Sequence, residues 1–155
     1  MTIDDPVLRS ADRLFLVVGF DGSEAAGRAM EAATRLMAGR VGKIEVVFVA
    51  HTPPTSELSA AALMETLNAF DEVEHDLAEA VRARLECVAE HWGFRRRDGL
   101  IADELVAVAD EFRRDHDDAV VAIVVGSAGH TYHHFVGSVP VGLVRHARYP
   151  VVVVP

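Results

Sequence analysis

The sequence predicts an α/β fold of the doubly wound, Rossmann-like kind: a five-stranded parallel sheet, order 3-2-1-4-5, with helices on both faces. Three observations lead there. Apolar runs of strand length alternate with stretches of helical period, in the order β-α-β-α-β-α-β-α-β, which implies a parallel sheet covered on both sides. The runs are near-continuous rather than alternating, as expected of strands buried on both faces. Glycine-rich turns follow the first and fourth runs, and such sheets bind ligands beside the point where strand order reverses. Right-handed crossovers leave few other topologies.

Residues 1–12 are polar, carry Pro6 and lack periodicity, so a loose N-terminal arm is expected, followed by a single domain over 13–155. RLFLVVG (13–19) reads as the first strand. In the turn after it, Ser23 or Asp21 can cap a helix and Glu24 favours its first turn. Ala26, Met30, Ala33 and Met37 give helical spacing over 25–38, and Gly39 is a stop. KIEVVFVA (43–50) is a second buried strand running into His51-Thr52-Pro53-Pro54, which continues neither strand nor helix.

From about 59 to 92 the pattern is helical, but one helix of that length would reach ~50 Å. A loop or short helix is expected first, then a main helix from near Asp71 that ends at Gly93. Phe94-Arg95-Arg96-Arg97 is a weak third strand, with three arginines at a sheet edge rather than in a nucleic-acid patch. Residues 99–116 read as a helix with Leu100, Ile101, Leu105, Val108 and Phe112 on one side. Residues 119–125 form the fourth strand, 138–147 the last helix, with Ser138 as cap and Pro140 in the first turn, and 151–154 the last strand.

Composition excludes several classes of function. The chain of 155 residues is long enough for one domain with a real core. Fifteen basic against 24 acidic residues leave a net charge of −9, which argues against non-specific nucleic-acid binding and against anionic membrane surfaces. The one cysteine, Cys87, lies in a helical pattern with no matching His/Asn pair and can form no intramolecular disulfide. The acidic N-terminus lacks the apolar core of a signal peptide, and no apolar run approaches the ~20 residues of a membrane span. A cytoplasmic location is expected.

The chemistry concentrates in AIVVGSAG (122–129) and GSVP (137–140). A strand, a glycine-rich loop and a helix start with a hydroxyl make an anion site: glycines admit backbone N–H groups to a phosphate, and the helix N-terminus adds orphan donors. The loops after Val18, Val49 and Val125 meet there if strands one and four are neighbours. They bring Asp21, His51 and the glycine loop together. Asp21 reads equally as a ligand contact or as a cap or turn residue. Gly126 and Gly129 make either an anion site or a tight turn. His130, His133 and His134 share helical spacing, but no carboxylate or cysteine joins them, so a solvent-facing loop is the reading kept and no metal is expected. Tyr132 and Phe135 could cover a ligand or pack at a subunit contact. A hydrolase needs a base and a metal-binding carboxylate near the phosphates; Asp21 is the one acid that can be put there, and no P-loop is present. The expectation is not an enzyme.

Together these residues resemble the universal stress protein family, over about 14–155. VVGFDGSEAAGRAMEAA, GLIADELV and IVVGSAG…GSVPVGLVRHARYPVVVVP carry the likeness, the last being the most specific. The resemblance implies a regulatory or sensing module that binds ATP or AMP, with Mg as a companion of ATP. By position it implies Gly19 and Asp21 at the adenosine end and Val49 against the base. Val125, Gly126 and Gly129 would surround ribose and phosphates, and Gly137, Ser138 and Val139 would meet the phosphates. The chain departs from the family's nucleotide-binding pattern in one place: seven residues, 130–136, separate Gly129 from Gly137 where the pattern has nine. That shortens the reach by up to ~7 Å, and the loop carries histidines in place of Arg or Lys. A closed, vestigial site in a ligand-free homodimeric interaction module is the alternative, and a slow nucleotide hydrolase a third. Val151 to Val154, at a sheet edge, would pair with the same strand of a second copy, as the family's dimers also imply.

Overall fold

The computed structural model describes residues 13–50, 59–89, 91–127, 138–146 and 148–155, with the side chains of Ser138 and His146 outside that description. The arm expected at 1–12 lies outside it too. Five strands form one parallel sheet: β1 (Arg13–Gly19), β2 (Val41–Ala50), β3 (Trp92–Asp98), β4 (Val120–Gly126) and β5 (Val151–Val154), in the order β3-β2-β1-β4-β5. Four helices connect them: α1 (Glu24–Met37), α2 (Ala60–Leu85), α3 (Ile101–Asp115) and α4 (Ser138–His146). This is the predicted architecture.

The continuous apolar runs are explained by burial on both faces. Leu16, Val18, Ile44, Val46, Phe48, Ala122 and Val124 face α1 and α2, meeting Ala29, Met30, Ala33, Leu77, Val81 and Leu85. The alternate residues Phe15, Val17, Val47, Val121, Ile123 and Val125 face Leu105, Val108, Ala109 and Leu143 of α3 and α4. Period-two alternation of side chains thus feeds two cores from one strand. Leu143 is the buried anchor of α4, and its burial is worth about 2 kcal/mol.

One helix differs from expectation. α2 starts at Ala60, not near Asp71, and ends at Leu85, well before Gly93. Ser59 Oγ caps it by accepting from the Ala62 N–H at 3.2 Å. Its 26 residues span ~39 Å at 1.5 Å each, which is possible because its buried residues, Leu77, Val81 and Leu85, belong to the C-terminal half. Leu77 packs beside Gly22, in the turn that follows β1, so the first turns of α2 stand beyond the sheet's carboxyl rim. The chain then turns at 86–88 and leaves room for β3 to begin at Trp92, earlier than the sequence suggested.

The edge strand β3 is fastened by charge. On the α3 side, Glu45 of β2 is a buried acid, 3% exposed. Its Oε1 accepts from Arg95 Nε at 2.7 Å. Its Oε2 has no aligned hydrogen bond and is met by Lys43 Nζ at 2.6 Å. Arg95 also donates to Glu111 at 2.7 Å, and Arg97 bonds to the same carboxylate. Gly93 sits opposite Glu45, and a Cβ there would lie 2.7 Å from Glu45 Oε2 and 2.9 Å from Lys43 Nζ. On the other face Arg96 donates to Asp71 and Asp98 and lies over the Phe70 ring.

At the other end of the sheet, the Tyr149 hydroxyl donates to Asp110 of α3. Burial first, and that hydrogen bond second, push the phenol above its usual range. The folded state therefore holds this proton more tightly than the unfolded chain does. Its contribution is whole below about pH 10 and is lost as pH rises through the higher folded value. Urea denaturation between about pH 9 and pH 11 should show a shallower alkaline loss of stability in Tyr149→Phe than in the parent protein; identical slopes would remove Tyr149 as the cause.

Candidate functional site

Three strand ends and three helix starts surround a cleft at the sheet's carboxyl rim. β1 ends at Gly19, and the Phe20 N–H bonds to Val47 O at 3.0 Å, holding the chain against β2 one residue past the strand. Gly22 takes φ +82°, the left-handed region that glycine adopts without cost. Asp21 Oδ1 accepts from the Ser23 N–H at 2.9 Å, and Ser23 Oγ accepts from the Ala26 N–H at 3.1 Å. The two readings of this turn are thereby resolved: Ser23 is the cap, and Asp21 closes a turn with one oxygen while remaining exposed at the cleft.

β4 ends at Gly126 and turns with Ser127, whose N–H bonds to Val154 O at 2.7 Å. A Cβ on Gly126 would stand 2.4 Å from the backbone carbonyl of Ala25. This glycine is therefore demanded by the close approach of α1, not by a turn conformation; its φ is not positive. Gly19 is similar but milder, with a Cβ 3.3 Å from Leu105 and Val125 side chains.

The resulting cavity measures about 190 Å³. Gly19, Asp21, Val49, Val125, Gly126 and Val139 of the predicted site residues all line it. Gly126 and Ser127 after β4 and Val139 and Pro140 of α4 thus line one pocket. Gly129 and Gly137 lie outside the described residues, as do His51 and the histidines at 130, 133 and 134; Ser138 opens α4 but its side chain is not described. Sequence reasoning missed Phe20, Ser127, Pro140, Ile101 and Leu105. Ile101 and Leu105 were within reach: α3 follows a strand, so its first turns must also sit at the carboxyl rim.

The lining is mainly apolar, with the Asp21 carboxylate and the Ser23 and Ser127 hydroxyls as its polar side chains. Such a wall suits a flat ring, and the acid suits hydroxyl or amino donors. Among the described residues no cation lines it, and no group of three or more His, Cys, Asp or Glu could hold a metal ion. Nor is any described helix long and apolar enough to cross a membrane.

A model of the universal stress protein family matches residues 16–155. The comparison with curated proteins gave no match. Among solved structures, the universal stress protein UspA from Lactobacillus plantarum superposes with a TM-score of 0.71 at 21% identity, covering 92% of this chain and 97% of that one. A universal stress protein in complex with cAMP gives 0.66 at 24% identity, over 92% and 97%. A family protein from Arabidopsis thaliana with AMP bound gives 0.56 at 15%, over 91% and 90%. At these identities the likeness is one of fold.

Proposed function

The chain belongs to the universal stress protein family, and from that premise we propose that it is a cytoplasmic regulatory module whose cleft binds an adenine nucleotide, AMP or ATP. The observation that carries the reading is the meeting of Asp21, Gly126 and the first turn of α4 around one apolar-walled cavity. Val49 and Leu105 would flank the base, and Asp21 would accept from the adenosine. Gly126, Gly129, Gly137, Ser138 and Val139 would face the phosphates, with Mg accompanying ATP. The cAMP and AMP complexes of similar folds support the ligand class. Isothermal titration with AMP, ADP and ATP tests it: no heat and no thermal shift at about millimolar nucleotide would end the reading. Asp21→Ala should weaken AMP binding about tenfold, the loss of one charge-assisted hydrogen bond.

A second reading keeps the fold without the ligand. It is favoured by the seven-residue spacing between Gly129 and Gly137 and by a cavity of about 190 Å³, below the ~300 Å³ usual for ligand sites. Nucleotide found by mass spectrometry in the purified, denatured protein would overturn it. A hydrolase would show metal-dependent turnover abolished by Asp21→Ala; a single carboxylate among the described lining residues gives that reading little chemistry to work with.

In either reading the protein is proposed to be a homodimer joined through β5. That strand pairs with β4 on one side, and Val153 is 41% exposed. An apolar edge of this kind invites a second copy. Sedimentation should show the native mass of two chains, falling to one in Val153→Lys; an unchanged dimer would move the interface elsewhere.

A further inference from the structure

The opposite, amino rim of the sheet carries a second cavity, of about 490 Å³. Arg13, Lys43, His91 and His116 surround it, over a floor that includes Phe15 and Val41. The His116 ring stacks on Phe15 at 4.4 Å and 11°, and Phe15 in turn stacks on Phe112 at 5.0 Å. A groove sharing Val41, Gly42 and His91 continues past Arg35 and Arg40. Cations thus gather here in a chain whose net charge is −9.

The ordinary use of such cations is to offset the carboxyl ends of helices, and Arg40 does so by donating to Leu36 O at the end of α1. Lys43 is partly spent on Glu45 at 2.6 Å. Arg13 has neither use: it opens a strand, is exposed, and pairs with no carboxylate among the described residues. His91 likewise has no described carboxylate partner. Among the described residues no acid lines the cavity, and Glu45 is buried under its own cations.

We propose that this cavity binds a small organic anion, a phosphate ester or carboxylate with an apolar body of about ring size. The anionic group meets Arg13 and His91, and the body lies on the Phe15–His116 stack. Aromatic floor and cationic rim are complementary to those two halves of one molecule.

Trp92, the chain's single tryptophan, borders the cavity and reports on it by fluorescence. Titration with phenyl phosphate or benzoate should give a saturable change in Trp92 emission at sub-millimolar concentration, the tighter of the two naming the preferred anion. Benzyl alcohol, without charge, and inorganic phosphate, without a ring, should each bind at least about tenfold more weakly. Arg13→Gln with His91→Gln, both at exposed positions, should also lose about tenfold or more, and Asp21→Ala at the far rim should lose nothing. The proposal is overturned by the absence of a saturable response up to about 10 mM, by equal binding of benzyl alcohol, by undiminished affinity in the double variant, or by a loss in Asp21→Ala.

Discussion

Gly126→Ala is expected to lower the free energy of unfolding by about 2–3 kcal/mol, the upper range for overpacking a core. The new methyl would stand 2.4 Å from the Ala25 carbonyl carbon and oxygen and 2.8 Å from its Cβ. Backbone is the obstacle, so no rotamer change relieves it; α1 must back away from β4. The gain from restricting the unfolded chain, about 0.4–1 kcal/mol for Gly to Ala, offsets part of the loss. At 2–4 °C per kcal/mol for a domain of this size, the melting temperature should fall by about 4–12 °C. Because Gly126 also lines the cleft, affinity for the proposed nucleotide should fall with it. An unchanged urea midpoint would show that α1 can shift freely.

Glu45→Ala should cost a similar amount, about 2–4 kcal/mol. Removing one member of a buried ion pair leaves the others uncompensated, which typically costs ~3–5 kcal/mol. Here Lys43 and Arg95 have side chains 35% and 34% exposed and can recover some hydration, and Arg95 keeps Glu111; a cost about 1 kcal/mol below that range follows. Replacing the pair together, Glu45→Leu with Arg95→Met, should recover much of the loss, since apolar substitutes for buried ion pairs are often neutral. Equal instability of the single and double variants would show that the network supplies net stability rather than satisfying a buried acid. Chemical denaturation of the three proteins decides between them.

The fold was legible because each strand carries enough apolar length to feed two cores. RLFLVVG and VVAIVVG admit no amphipathic reading, and the helices between them carry single apolar stripes. The cleft was legible for the same reason, since strand order alone brings the ends of β1 and β4 together. What the sequence concealed depends on register and reach. Glu45 breaks an apolar run in KIEVVFVA, a signal available from the start, but its bond to Arg95 appears only when β2 and β3 are aligned with Glu45 opposite Gly93. The length of α2 was misjudged because helical period says where a helix can run and not how far it stays in contact. Gly126 was legible as a glycine of consequence, while the reason, a neighbouring backbone rather than a turn, belongs to tertiary packing. Asp21 carried two readings that no local pattern could separate; the hydrogen bond from Ser23 establishes the turn role and occupies one carboxylate oxygen.

The two margins of the sheet are unlike. One is studded with arginines already committed to Glu45, Glu111, Asp71 and Asp98, and charge of that kind discourages foreign strands. The other ends in four valines. On the proposed pairing through β5, a sheet with a single receptive margin can join once, edge to edge with its own likeness, and then has nothing left to offer. Association by strand addition should therefore stop at a closed pair instead of lengthening into a filament.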